Sequence, residues 1–311
     1  MDVLDKLVEL AQLAGSVDTQ CLFQGAWYVR HEASRVRGVV HIVTRGSGWI
    51  KIDGENQARL LQQGDIVFFP RTAGHVLSSS AGCGNCEDTV ESSRQGAFTV
   101  KSSSGEGGQM QLFCARFEYE QQAELIAGLP AMLRLHLDSP ELCYLVEMLK
   151  GEAAGLRQGS TSVVNALSAV LLVLMLRAYL AQEGQELPDG VLKGWRDKRL
   201  RGLIQAVIEQ PEKPWNVEDM AAEAKMSRAH LMRLFRQQTG SSPHAFVSRI
   251  RLQQAALLLK QRADSVLSIA LSVGFSSETH FGKAFKKEYG ISPGQYRKQP
   301  QEAVADGGFV I

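Results

Sequence analysis

The chain of 311 residues lacks any long apolar run: the longest, Ala169 to Leu176, covers eight residues and is preceded by Asn165 and Ser168. A bilayer span takes roughly 20 apolar residues, so no membrane crossing is expected. Positive charge is missing where a secretory leader would carry it. Met1 to Leu13 instead has an amphipathic helix pattern, Val3, Leu4, Leu7 and Leu10, with Asp2 and Asp5 near its start; this argues against a signal peptide and for a cytoplasmic protein. Cysteine is scarce. Five thiols, an odd number in a large chain, argue against a secreted disulfide framework. Net charge is also nearly absent, at +1, but the balance conceals a division. Residues 193–300 hold 19 Lys and Arg against 9 Asp and Glu, a net +10, while the remainder carries −9. A polyanion would be bound by the C-terminal part and not by the acidic part. At this length, with 44% hydrophobic residues, two domains with separate cores are expected.

What the basic part contains is one pattern written twice, from Met220 to Phe246 and from Ile269 to Tyr296. Met226 and Ser227 pair with Phe275 and Ser276 at an offset of 49; after a one-residue insertion, Leu231, Phe235, Gly240, Pro243 and Phe246 pair with Phe281, Phe285, Gly290, Pro293 and Tyr296 at 50. Each copy reads as two short helices around a tight turn. Asn216 and Ser227 are the expected N-caps of the first copy, and Ser265 and Ser276 those of the second, with Gly274 as a left-handed C-cap. Leu231, Leu234 and Phe235, and likewise Phe281, Ala284 and Phe285, recur at i, i+3, i+4 and are expected to pack inward. The opposite faces carry Arg228, Arg233 and Arg236, or Lys283, Lys286 and Lys287. A single basic face is usually only solvated; its repetition in the same frame points to DNA.

The run A-x-S-V-G-F-x-S-x-x-x-F-x-x-x-F-K-x-x-x-G-x-S-P-x-x-Y-R, Ala270 to Arg297, resembles the signature of the AraC family of transcription regulators. The resemblance covers about Trp195 to Lys298. By position in that motif it implies base reading in the major groove by Ala229, Met232 and Arg233 in the first unit and Glu278, Thr279 and Lys283 in the second, with Gly282 reading little. Ser227, Arg228, Arg236, Ser276, Lys286, Lys287 and Arg297 are expected to hold phosphates.

From Val17 to Phe117 the pattern is of short alternating segments separated by turns, including Arg45 to Gly48, which implies a small sandwich or barrel. Gly64 to His75 resembles the second motif of cupin barrels. Catalytic cupins add a His-x-His pair and a Glu; here the corresponding stretch supplies only His41, and His41 with His75 cannot complete a usual ligand set. No metal and no cofactor are expected, and no enzymatic activity. Phe23, Trp27, His41, Trp49, Phe68 and His75 are candidates to line an effector pocket, or simply to fill the core. Ser78 to Gly108 reads as a long structureless insertion rich in Ser and Gly. It contains Cys83 and Cys86, which admit three readings: a zinc site needing two more ligands, a reversible disulfide, or incidental thiols. Cys21 joins the second reading because some related cupin-bearing AraC-type regulators respond to reactive chlorine through cysteines.

Leu142, Leu145, Val146 and Leu149 mark one helix, and Val163, Val164, Leu167, Val170, Leu171, Leu174 and Leu180 a second, over 160–182. The second is apolar around most of its circumference, which implies a homodimer contact or packing on the first helix. Residues 1–183 are read as a cupin-like effector and dimerisation domain, 184–192 as a linker, 193–300 as an all-α DNA-binding domain and 301–311 as a tail, an α+β fold overall. One leading helix is expected over Val191 to Glu209, and a spacer helix of about 15 residues between the repeats. The stretches LDKLVELAQLAGSVDTQC, SVVNALSAVLLVLMLRAYL and VLKGWRDKRL resemble AraC-type activators of multidrug efflux operons. That resemblance implies a transcription activator, hence an RNA polymerase partner, responding to a hydrophobic or amphipathic effector. A cysteine-based redox regulator and a cupin enzyme targeted to DNA are the alternatives.

Overall fold

The structure, a computed structural model, describes residues 2–33, 37–71, 73–82, 90–120, 122–155, 157–182 and 186–299. In chain order the elements are α1 (Val3–Leu10), β1 (Ala14–Gln24), β2 (Tyr28–His31), β3 (Arg37–Ile52), β4 (Arg59–Gln62), β5 (Asp65–Phe69), β6 (His75–Ser78), β7 (Glu91–Gln95), β8 (Phe98–Ser102), β9 (Gln109–Glu118), α2 (Glu124–Ala127) and β10 (Leu133–His136). Ten helices follow among the described residues: α3 (Pro140–Ala154), α4 (Ser160–Ala181), α5 (Val191–Arg196), α6 (Arg201–Glu209), α7 (Val217–Glu223), α8 (Arg228–Thr239), α9 (Pro243–Gln261), α10 (Val266–Ser272), α11 (Glu278–Tyr289) and α12 (Pro293–Lys298). They fall into two compact units, one built from Ala14–Glu118 and Ala131–Gln185, the other from Met1–Leu13, Tyr119–Pro130 and Glu186–Ala303.

The first unit is a curled sheet in the order β10-β5-β3-β9-β1-β8-β7, with β4 and β6 on β3 and β2 on β6. Strand β3 makes the curl. Val39–Ile42 pair with β5, whereas Ser47–Ile50 pair with β4 and Trp49–Ile52 with β6. The turn expected at Arg45 to Gly48 is instead a bulge within this one strand, where the register against β9 shifts between Val43 and Arg45. Gly46 has φ +72 there, and an added Cβ would sit 1.8 Å from the Gln109 carbonyl oxygen. A bulge bends its strand and sharpens its twist, so β3 passes from one set of partners to the other without a loop.

The insertion expected over Ser78 to Gly108 also differs. Among its described residues, β7 and β8 form a hairpin and β8 runs parallel to β1, Thr19 opposite Thr99. Phe98 and Val100 are buried, but all five residues of β7 are exposed. A strand exposed on both faces has no alternation to read, which is why the sequence concealed it.

Helix α4 is long and apolar enough to cross a bilayer by length and composition, with a mean hydropathy of 2.0. Here Val164, Leu167 and Leu171 are buried, and the helix packs against β1 and α3. Ser168 anchors it: its hydroxyl accepts from the Val17 amide at 2.8 Å and donates to the Val164 carbonyl at 2.7 Å. Val163 and Val170 remain exposed, as do Tyr144 and Met148 on α3.

The second unit is helical and centred on α9, whose 19 residues span roughly 28 Å at 1.5 Å per residue, longer than expected. It packs against α6 of the leading segment, α7 and α8 of the first repeat, and α10, α11 and α12 of the second. The single leading helix expected over Val191 to Glu209 is two helices. The Asp197 carboxylate accepts from the Arg199 amide at 2.9 Å and the Arg199 guanidinium at 2.6 Å, and such local bonding by Asp competes with helix continuation.

Residues 1–13 and 119–130, read from sequence as part of the N-terminal domain, pack in this unit. Helix α1 lies on α6 and α9. Glu124, buried, pairs with Arg249 of α9; the Gln253 side-chain amide donates to the Gln122 carbonyl at 2.8 Å, and the Tyr296 hydroxyl donates to Glu120. Burial pushes the Glu124 carboxyl up even with the guanidinium beside it.

Both repeats turn by the same device. The Met226 amide donates to the Ala221 carbonyl at 3.0 Å, and the Phe275 amide to the Ala270 carbonyl at 2.9 Å. The residue before each is left-handed: Lys225 at φ +53 and Gly274 at φ +91. Ser227 caps α8 through the His230 amide, but the cap of α11 is Ser277, through the His280 amide, and not Ser276. The inserted residue therefore lengthens the second turn and leaves its recognition helix intact.

An alanine Cβ at position 274 would lie 2.8 Å from the Glu212 backbone in a conformation that L residues avoid. In urea unfolding, Gly274→Ala is expected to cost ~2 kcal/mol or more, and Lys225→Gly to stabilise by about 1 kcal/mol. Ser277→Ala is expected to cost about 1 kcal/mol and Ser276→Ala less than about 0.5 kcal/mol; equal losses for the two serines would contradict the cap assignment.

Candidate functional site

Helices α8 and α11 bury Leu231, Leu234 and Phe235, and Phe281 and Phe285, respectively. Inward packing of these rings decides which face remains outside. Ala229, Met232 and Arg233 are exposed on α8, and Glu278, Thr279 and Lys283 on α11, while Gly282 is half-buried. These positions lie in the first two turns of each helix, where the free backbone amides and the helix dipole favour an approaching anion.

The residues expected to hold phosphates are less uniform. Ser227, Arg236, Ser276, Lys286 and Lys287 are exposed. Arg228 is exposed but ion-paired with Glu218, and Arg297, half-buried, donates to the Asp264 carbonyl at 2.5 Å. Either would have to share its guanidinium to reach a phosphate. Beside the start of α8 runs a groove lined by Lys198, Arg199, Lys225, Ser227 and His230. Lys225 and His230 are additions to the basic surface. In sequence Lys225 reads only as a turn residue, and His230 lies at a position that no periodicity distinguishes.

The barrel unit contains a second concentration of chemistry. His31 on β2 stands opposite His75 on β6, and His41 on β3 opposite Cys114 on β9. All four are buried, and the three imidazoles offer ring nitrogens within 4.8 Å of one another. The wiring among them is directional. His75 Nδ1 lies 2.8 Å from the Ala73 carbonyl oxygen, which can only accept, so Nδ1 carries the proton and Nε2 accepts. His41 Nε2, 2.8 Å from His75 Nε2, must then donate, and His41 Nδ1 accepts from the Cys114 thiol at 3.1 Å. Burial pushes His75 down to about 4, and burial followed by the neighbouring His41, His75 and Lys101 holds His31 well below the usual histidine range. A hydrogen bond with Cys21, then burial, pushes the Cys114 thiol well up.

The six candidate pocket residues do not converge. Phe23 and Trp27 stack at 4.5 Å inside the barrel, and Phe69 stacks on His75 at 4.4 Å. Phe68, next along β5, faces the other side and meets Phe117 at 6.3 Å. Trp49 is half-buried beside inward-facing Ile50. Successive strand residues take opposite faces, which divides the set. Sequence inspection missed His31, ten residues before His41 in an unremarkable segment; only the β2–β6 pairing brings it to His75. Cys21 is buried, and Cys83 and Cys86 lie outside the described residues.

Comparison with known proteins agrees with both halves. A family model described as "Cupin" matches residues 2–181, and one described as "Helix-turn-helix domain" matches residues 220–299. The chain is 58% identical to the HTH-type transcriptional regulator MtrA of Neisseria gonorrhoeae, over 96% of this chain and 99% of that protein. It is 40% identical to an uncharacterized HTH-type transcriptional regulator of Haemophilus influenzae, over 96% and 99% of the two chains. It is 27% identical to the RCS-specific HTH-type transcriptional activator RclR of Escherichia coli, over 97% and 99%. Cupin sheet, paired helix-turn-helix units and full-length identity converge: the chain belongs to the AraC family of transcription regulators, in the group that carries a cupin domain ahead of the DNA-binding domain.

Proposed function

We propose that this regulator is an effector-responsive activator that reads two successive major grooves of promoter DNA and governs a drug-efflux operon. The observation that carries the DNA-binding part is the repeated turn: Lys225 and Gly274 place two recognition helices in the same way on one continuous spacer helix, each with an exposed, basic outer face. Successive major grooves on one face of a duplex lie about 34 Å apart, and a straight α9 suits such a spacing. Arg233 reads guanine by a bidentate contact, Glu278 accepts from cytosine, and Ala229 or Met232 packs on thymine methyls. Thr279 and Lys283 complete the second reading face.

The effector half rests on different support. The full-length similarity to MtrA and the stretches shared with efflux activators favour a hydrophobic or amphipathic effector for the cupin unit. Exposed Tyr144, Met148, Val163 and Val170 favour a homodimer formed through α4. An activator would also contact RNA polymerase, and a DNA-binding regulator acts in the cytoplasm. The RCS-specific name of one relative keeps the redox reading in view, but Cys21 is buried, and thiols in apolar surroundings are poor nucleophiles. An oxidant response that survives combined Cys21→Ser, Cys83→Ser and Cys86→Ser would remove that reading.

Affinity selection of sheared genomic DNA by the full-length protein is expected to retain an asymmetric site of about 20 base pairs beside a transporter operon; no enrichment over random fragments, with and without candidate effectors, would contradict specific binding. Arg233→Ala is expected to cost ~1 to 3 kcal/mol at that site and to relax preference at one base pair. Equal losses on specific and random DNA would assign Arg233 to the backbone. Lys286→Ala is expected to weaken both alike and lower the salt slope by about one unit.

A further inference from the structure

The DNA-binding unit builds a groove beside each recognition helix and furnishes the two differently. The first groove is lined by Lys198 and Arg199 from the junction of α5 and α6, by Gly202 of α6, and by Lys225 and His230 at the turn and start of α8, with Glu223 as its one carboxylate. The second, beside the turn and start of α11, is lined by Trp215, His244, Val247, Phe275 and His280, with Arg251. Arg251 is committed elsewhere: its guanidinium donates to the Pro211 carbonyl at 2.7 Å and to the Lys213 carbonyl at 2.8 Å. The described residues that line the second groove therefore offer no free permanent cation. The first groove offers two. Arg199 is ion-paired with Asp197, but among the described residues the ammonium of neither Lys198 nor Lys225 has an ion pair or a hydrogen bond, and both side chains are exposed.

Lys225 also occupies a backbone conformation that a lysine adopts only at a cost. Its φ of +53 is left-handed, and the equivalent residue of the second unit is Gly274 at φ +91; glycine takes this conformation freely, whereas a residue with a Cβ is strained in it. A cation held at such a position, beside a second unpaired cation, has a use in binding an anion. The anion is close at hand. The major groove is about 12 Å wide, so a helix seated in it has a phosphate strand on either side, and the first groove runs along Ser227 at the cap of α8. A Cβ added at Gly202 would meet nothing within 4 Å, so the α6 wall is open there. We propose that Lys198 and Lys225 clamp one DNA phosphate in this groove, which makes the junction of α5 and α6 a third point of contact with the duplex. That junction lies ahead of the matched helix-turn-helix residues 220–299. The clamp exists in the first unit alone, so that unit anchors the protein on the backbone while the second supplies no matching grip. This assignment rests on the reading of α8 as a DNA-recognition helix.

The test titrates full-length protein into two fluorescent duplexes, one carrying the selected site and one of random sequence, over about 50 to 300 mM salt. Lys225→Gly is expected to raise the urea midpoint yet weaken binding to both duplexes about fivefold at about 0.15 M salt, a combination that a purely structural role would not produce. Lys198→Ala is expected to weaken binding to a similar extent. The double variant is expected to lower the salt slope by about one unit and not two, because a single phosphate is at stake. Replacing phosphates of the selected duplex one at a time by neutral methylphosphonates is expected to find one position that weakens the unmutated protein about fivefold and leaves the double variant unaffected. Unchanged affinity in the double variant, a slope lower by two units, or the lack of any such phosphate would each overturn the clamp. Lys286→Ala is the control on the underlying reading: a slope that falls with it but not with the lysine pair sinks the clamp alone, and a slope that falls with neither sinks both.

Discussion

Helix α9 buries side chains around most of its circumference, from Phe246, Val247 and Ile250 to Leu252, Ala255, Ala256 and Leu259. Side chains buried around most of a helix need cover on most sides, and the rest of the DNA-binding unit supplies that cover. Both helix-turn-helix units pack on it, so the rigid core of one helix sets the distance and angle between two recognition helices.

Part of that cover comes from far away in sequence. The segment following β9 places Glu124 against Arg249 and Gln122 against Gln253 on α9, and Glu120 beneath Tyr296. In the Glu124–Arg249 pair the carboxylate is buried and the guanidinium partly exposed, and removing the carboxylate from water offsets much of their attraction. Its contribution is to position: a carboxylate buried there accepts one partner in one geometry. Because β9 also carries Cys114, the strand beside the histidine cluster continues directly into the segment that grips the spacer helix.

Within the barrel, the apolar cluster and the histidines share one interior face, since His31, His41 and His75 stand two residues from Val29, Val43 and Leu77 on their strands. Phe23, Trp27, Leu112 and Met110 make an apolar cluster, and His41 and His75 are linked by a one-way chain of donors from Cys114 to the Ala73 carbonyl. Buried polar groups that are fully bonded specify a unique packing, whereas a missing partner costs heavily.

The sequence by itself determined the repeated helix-turn-helix pair, the basic and acidic halves, and the barrel strands β2, β3, β4, β5 and β9, because each is written in a local period, a cap or a glycine. Leu231, Phe235, Phe281 and Phe285 announced their buried faces at helical spacing, which left the basic side chains on the outer faces. Only the tertiary structure decided what depends on pairing between distant segments. The bulge in β3 looks like a turn until β9 is placed beside it, and β7, exposed on both faces, has no pattern at all. Ser277 replaced Ser276 as a cap because hydrogen-bond geometry, not residue type, separates two adjacent serines. His31 joined His41 and His75 because β2 pairs with β6, a non-local contact that no spacing within the chain encodes.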